Sequence, residues 1–180
     1  MRKERNELQR TLAMVSAVLW ATAEAMAQEN IARPSRRIVV DMPDHKLAVL
    51  DGDRVVRVFD VATGAGATPS PAGSFTIVQR IQDPAWYHPG KVVPAGKNNP
   101  LGPRWIGLSK KGYGIHGTNA PASIGHNASH GCIRLRNADI EQLFEMVSVG
   151  DQVDLLAERT EETDRIFSSG VITVAALASR

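Results

Sequence analysis

The chain carries one cysteine, Cys132, and three of its five histidines lie close to it, in the stretch Ile115–Arg136 (IHGTNAPASIGHNASHGCIRLR). A free thiol is only a few per cent ionised at pH 7, so a nucleophilic cysteine needs an adjacent base or a positive field. His116 precedes Cys132 by a loop's length, far enough for the chain to fold back and bring an imidazole beside the thiol. If the residues after Cys132 are extended, side chains alternate: Cys132 and Arg134 share one face, while Ile133 and Leu135 point to a core. Thiol and guanidinium then sit about 7 Å apart along the strand. That arrangement suits a nucleophile beside an anchor for a substrate carboxylate. Gly131 permits a tight turn before the cysteine, and its N–H can join that of Cys132 in an oxyanion hole. These residues predict a nucleophilic cysteine, with a thiolate–imidazolium pair that alkylates faster than a free thiol near neutral pH.

Other uses of the same residues fit less well. A lone cysteine is commonly a small buried hydrophobe, but His130, Gly131 and Arg134 make a poor apolar wall. His116, His126, His130 and Cys132 offer a His₃Cys zinc set. His130 and Cys132 are two residues apart, however, and need an unusual turn to converge on one ion. No metal and no cofactor is therefore expected.

The elements that must position these groups read mostly as β. Residues 37–41 (RIVVD), 45–50 and 54–62 are strand-like, and Asp51-Gly52 supplies a tight hairpin turn between the last two. Residues 74–81, 105–108, 113–116 and 152–156 add further strands. In residues 137–147, Ile140, Leu143, Phe144 and Val147 recur at i, i+3, i+4 and i+7, which marks a helix with one apolar face. Asn137 reads as its N-cap, Asp139 suits its positive end, and Gly150 follows its stop. Residues 83–103 are proline-rich with little periodicity, the pattern of a functional loop or lid, and Trp86 and Tyr87 would give it apolar contact. The sum is a mostly-β domain with one or two short helices.

Composition sets the limits. The 180 residues are 43% hydrophobic and 22% charged, enough for one real core. A single cysteine excludes an intramolecular disulfide framework. A net charge of +2 gives no electrostatic footprint for nucleic acid. Residues 1–27 combine a basic start, a short apolar run from Leu12 to about Ala23, and Ala25-Met26-Ala27 at a cleavage position. This pattern predicts a cleaved secretory signal peptide and no stable membrane anchor afterwards. Residues 28–36 read as a linker, 37–156 as the domain, and 157–180 as a tail without an assigned role.

Ser129-His130-Gly131-Cys132-Ile133-Arg134 (SHGCIR), with His116-Gly117 upstream, resembles the active-site signature of the L,D-transpeptidase catalytic domain. Thr68–Phe75 (TPSPAGSF), Pro100-Leu101-Gly102 and Tyr113-Gly114-Ile115-His116 are similar to that family's other motifs in the same order. The resemblance covers roughly 37–153. It implies a β-sandwich-like domain and a periplasmic or cell-wall enzyme sensitive to carbapenems. Its substrates would be donor and acceptor stem peptides of peptidoglycan, with an outer-membrane protein or lipoprotein as a further possible acceptor. Carried over residue by residue, Cys132 is the nucleophile, His116 the base and the Gly117 carbonyl its orienting group. His130 and Gly131 would flank the oxyanion hole. Arg134 would hold a donor carboxylate, with Ser129, Tyr113 and Trp86 as further substrate contacts. The alternatives are a carboxypeptidase that hydrolyses the same acyl-enzyme, or a non-catalytic wall-binding or zinc-stabilised module.

Overall fold

A computed structural model describes residues 35–168. The expected signal peptide, most of the expected linker and the last part of the tail lie outside the described residues. Twelve strands and two α-helices follow in order: β1 (Arg37–Asp41), β2 (Lys46–Asp51), β3 (Arg54–Asp60), β4 (Thr63–Gly64), β5 (Gly73–Gln82), β6 (Trp86–His88), β7 (Lys91–Val93), β8 (Arg104–Leu108), β9 (Gly114–His116), β10 (Asn127–Ser129), β11 (Ile133–Arg134), α1 (Asn137–Met146), β12 (Gln152–Leu156) and α2 (Glu161–Ser168). The described chain is mostly β with two short helices.

Eight strands form one sheet in the order β11-β9-β8-β5-β12-β1-β2-β3. This sheet curls until its two ends meet. Just past β3, the Ala62 N–H donates to Arg134 O at 2.8 Å, and the Arg134 N–H donates to Ala62 O at 2.9 Å. The curl gives the layered, sandwich-like form and buries one apolar cluster drawn from both ends of the sheet, including Ile38, Leu47, Phe59, Ile106, Ile115 and Ile133. Helix α1 covers this cluster with Ile140 and Leu143, both fully buried, and Phe144. Burying such side chains contributes about 1.5–3 kcal/mol each.

Local chemistry accounts for most elements. The β2–β3 turn places Gly52 at φ 58°, the left-handed region that glycine enters without a Cβ penalty. Strand β1 is buried on both faces, which suits its unbroken apolar run Ile38-Val39-Val40. Ile38 and Val40 join the main core, while Val39 packs on the other face with Ala48, Leu50 and Ile166 of α2. The tail therefore continues into a helix that closes the outer face of β1 and β2. Arg37 ties it down: its Nε donates to Asp154 Oδ2 at 2.5 Å, and its Nη1 donates to Glu162 of α2. Ser74 Oγ also donates to Asp154 at 2.6 Å, and this set of donors holds the Asp154 carboxyl below its ordinary range against the opposing effect of burial.

Two local expectations change. Residues 83–103 are not without regular structure, because β6 and β7 pair as a small antiparallel ribbon, Trp86 opposite Val93. Asn137 is not the N-cap of α1. Arg136 occupies that position without a side-chain cap bond, and Asn137 Oδ1 instead accepts the Thr118 N–H at 2.8 Å. A tertiary partner has taken the acceptor that the local pattern assigns to the helix end.

Candidate active site

Strands β9 and β11 run parallel in register, Ile115 beside Ile133 and His116 beside Arg134. Ile115 and Ile133 are buried in the core. Alternation then places Gly114, His116, Cys132 and Arg134 together on the opposite face. Pairing of two short strands thus brings the sequence-distant histidine to the face that bears the cysteine. A cavity of about 600 Å³ opens over this face. Its lining comes from Cys132, His116, Arg134, His130 and Ser129 and, from a different segment, Pro84, Trp86, Tyr87, Pro100 and Leu101.

His116 is 4% exposed. Its Nδ1 lies 2.6 Å from Gly117 O, and since a carbonyl can only accept, Nδ1 carries the proton. Nε2 is then the unprotonated, basic nitrogen. The ring stacks on Trp105, centroids 5.6 Å apart at 24°, across the β8–β9 pair. Burial pushes His116 down to about 4; the Gly117 carbonyl opposes this, the Arg134 charge adds to it, and the Leu101 carbonyl opposes it weakly. Burial also pushes the Cys132 thiol up, against the Gly114 N–H and the Arg134 charge. The thiol donates to Gly112 O at 3.8 Å. The directions of both shifts favour a neutral thiol and a neutral imidazole at rest, where spacing alone suggests a charged pair. Desolvation disfavours both charges and outweighs their local partners. A neutral imidazole with Nδ1 held by a carbonyl is nonetheless the form a general base requires.

Arg134 Nη1 donates to Ala128 O at 3.2 Å, and its buried Nε has no protein partner. Gly131 adopts φ 109°, and a Cβ there would come within 2.7 Å of the Tyr113 ring. The Gly131 N–H donates to Ser129 Oγ at 2.9 Å, and Ser129 Oγ donates to Cys132 O at 2.6 Å. So Ser129 uses its hydroxyl within the turn that presents Cys132. The Gly131 N–H is likewise occupied, so it is not free for the oxyanion role expected of it. Tyr113 packs on Gly131 beside the cavity, whereas Trp86 and His130 line it directly. Among the described residues, no three His, Cys, Asp or Glu side chains converge on a position that could hold a metal. No helix of the described residues is long and apolar enough to cross a membrane.

Some residues at the site escape sequence reasoning. Trp105 forms the floor: a Cβ on Gly114 would meet its indole at 2.6 Å, so the glycine is needed for the ring to lie across β9. Asn99 holds its loop from within, and the exposed Asn137 ties down the Thr118 backbone. The available signal for Asn99 is an amide among prolines in a loop, a residue that can satisfy several backbone groups at once.

Residues 35–155 match the family model YkuD, the L,D-transpeptidase catalytic domain. The chain belongs to this family. The match spans every element from β1 to β12 that builds the cavity of this L,D-transpeptidase domain. YqjB of Bacillus subtilis, named as an L,D-transpeptidase, is 37% identical over 121 residues, 64% of this chain and 68% of its own length. YkuD of Bacillus licheniformis, named likewise, is 38% identical over 119 residues, 66% of this chain and 64% of its own. The solved L,D-transpeptidase from Mycobacterium smegmatis superposes with a TM-score of 0.58 at 25% identity, covering 68% of this chain and 59% of that one. The chain thus spans about two thirds of the length of these relatives or less.

Proposed function

We propose that this L,D-transpeptidase domain acts on peptidoglycan stem peptides through an acyl-enzyme on Cys132. The observation that carries the reading is the in-register pair of β9 and β11, which sets His116 with Nδ1 committed to Gly117 O on the face that bears Cys132 and Arg134. His116 Nε2 takes the thiol proton as Cys132 Sγ attacks the donor carbonyl on the L-side of the bond to a terminal D-amino acid. The C–N bond breaks, and the amine leaves with the proton from His116. A thioester remains. An acceptor amine then attacks the thioester with His116 again as base, the C–S bond breaks, and the thiol is restored. Neutral resting groups fit this sequence, since charge develops only as the proton moves. Arg134 anchors a donor carboxylate, and the apolar wall from residues 84–101 limits access of water to the thioester. The acceptor is an amine of a second stem or of a wall-attached protein; hydrolysis would make the same site a carboxypeptidase. The leader-like sequence of residues 1–27 supports a reading in which the enzyme works outside the cytoplasm, in the periplasm or wall.

The test is mass spectrometry of the protein and of muropeptides after incubation with tetrapeptide stems. A thioester adduct on the wild type, absent from a folded Cys132→Ala variant, is the expected result, together with acylation by a carbapenem. Turnover retained in Cys132→Ala would refute the mechanism. The product identifies the acceptor: a 3–3 dimer, a stem–protein conjugate or a trimmed tripeptide.

A further inference from the structure

The segment from Asp83 to Pro103 forms one wall of the cavity, yet it buries little apolar surface of its own. Tyr87 and Val92 on its ribbon are 75% and 60% exposed. What fills its interior is an amide. Asn99 is 1% exposed. Its Nδ2 donates to Pro84 O at 2.7 Å, to Pro94 O at 3.1 Å and to Val93 O at 3.3 Å. Its Oδ1 accepts the Leu101 N–H at 2.8 Å. One side chain thus ties the start of the segment, the end of the β6–β7 ribbon and the Pro100-Leu101 stretch into a single unit. The neck is closed separately: the Asp83 N–H donates to Pro103 O at 2.8 Å. Both ends of the segment turn through left-handed backbone, at Asp83 (φ 49°) and Gly102 (φ 64°).

Pro84, Pro100 and Leu101 all line the same cavity as Cys132. The peptide that Asn99 Oδ1 holds by its N–H is followed by the Leu101 carbonyl, which bears on the His116 ring. The same amide therefore reaches both the binding wall and the base. We propose that Asn99 is a positioning residue: it holds residues 84–101 as one rigid flap over the cavity and sets the Leu101 peptide against His116. The proposal rests on the acyl-transfer reading above for its kinetic part only. Without the amide, three carbonyls and one N–H lose their shared partner, and the flap must find other arrangements or admit water. The donor peptide would then have to order the wall as it binds, which raises KM more than it lowers kcat.

The experiment compares wild type, Asn99→Ala and Lys97→Ala, an exposed change on the same segment. The readouts are steady-state release of the terminal D-amino acid from a tetrapeptide stem and hydrogen exchange at the Leu101 amide under native conditions. For Asn99→Ala we expect KM to rise about tenfold with kcat within about threefold, and Leu101 exchange to quicken at least about tenfold. Lys97→Ala should match wild type in both. A merely structural role would lower the amount of active protein at unchanged KM. A folded Asn99→Ala with unchanged Leu101 exchange, or with faster exchange and unchanged KM, overturns the proposal. If Asn99→Ala does not fold, Asn99→Asp replaces it: this variant keeps the acceptor for Leu101 and loses the donors. It should raise KM while Leu101 stays protected, and an unchanged KM overturns the proposal. If the wild type releases no amino acid, the acyl-transfer reading fails. Leu101 exchange then decides the role of Asn99 alone, faster exchange supporting it and unchanged exchange overturning it.

Discussion

Lowering the pH from 7 to 4 should remove about 3 kcal/mol of folding stability through His116 alone. The ring is 4% exposed, and burial holds it at about 4 in the folded protein against an ordinary 6.5. In the unfolded chain the same ring titrates near its ordinary value. Between these two values the unfolded state binds a proton that the folded state refuses, so stability falls as the pH falls through this window. The gap of about 2.5 units at 1.36 kcal/mol each sets the magnitude. Below about pH 4 both states are protonated and the effect stops growing. Depressed carboxylates such as Asp154 and Glu162 lose their contribution as the pH falls through their ordinary values of 3.8 and 4.5, so they overlap with the acid end of this window. The assay is urea unfolding of wild type and His116→Gln at pH 7, 6, 5 and 4. Carboxylate effects common to both proteins cancel in the difference. The wild type should lose about 3 kcal/mol more than the variant over this range, with slopes (m) alike. Parallel stability curves between pH 7 and 4, or an NMR midpoint for His116 near 6.5, would show that the ring is not desolvated as described. His116 would then not be the neutral resting base.

Two further outcomes follow from packing. Gly102→Ala should cost about 2–4 kcal/mol in chemical denaturation: at φ 64° a Cβ is strained, and it would lie 2.5 Å from Asn137 Oδ1 and 2.7 Å from Gly117 Cα. A change below about 0.5 kcal/mol would mean this junction yields easily. Ile166→Ala should cost about 2 kcal/mol, because Ile166 is 6% exposed against Val39, Ala48 and Leu50; no change in unfolding midpoint would mean that α2 is not part of the cooperative fold.

Much of the fold was legible because its signals are local. The unbroken apolar run of β1, the Gly52 turn and the i, i+3, i+4, i+7 stripe of α1 each follow from a few neighbouring residues. The alternation from Cys132 to Leu135 likewise placed Ile133 and Leu135 in the core and left Cys132 and Arg134 on the other face. Asn137 misled for the opposite reason. Its local reading as a cap is sound chemistry, but Thr118, distant in sequence, competes for the same oxygen and wins it. The ribbon β6–β7 was missed because a proline-rich segment of such short strands shows no period.

The sequence by itself determined which groups are available: one thiol, an imidazole before a glycine carbonyl, a guanidinium two residues past the thiol, and the motifs of an L,D-transpeptidase domain. These are matters of residue type and short spacing. Only the tertiary structure decided their state. The pairing of β9 with β11 seats His116 beside Arg134, burial of the ring against Trp105 favours its neutral form, and Asn99 packs the wall formed by residues 84–101. Protonation and positioning depend on the surrounding dielectric and on partners brought from far along the chain, and local spacing carries no record of either.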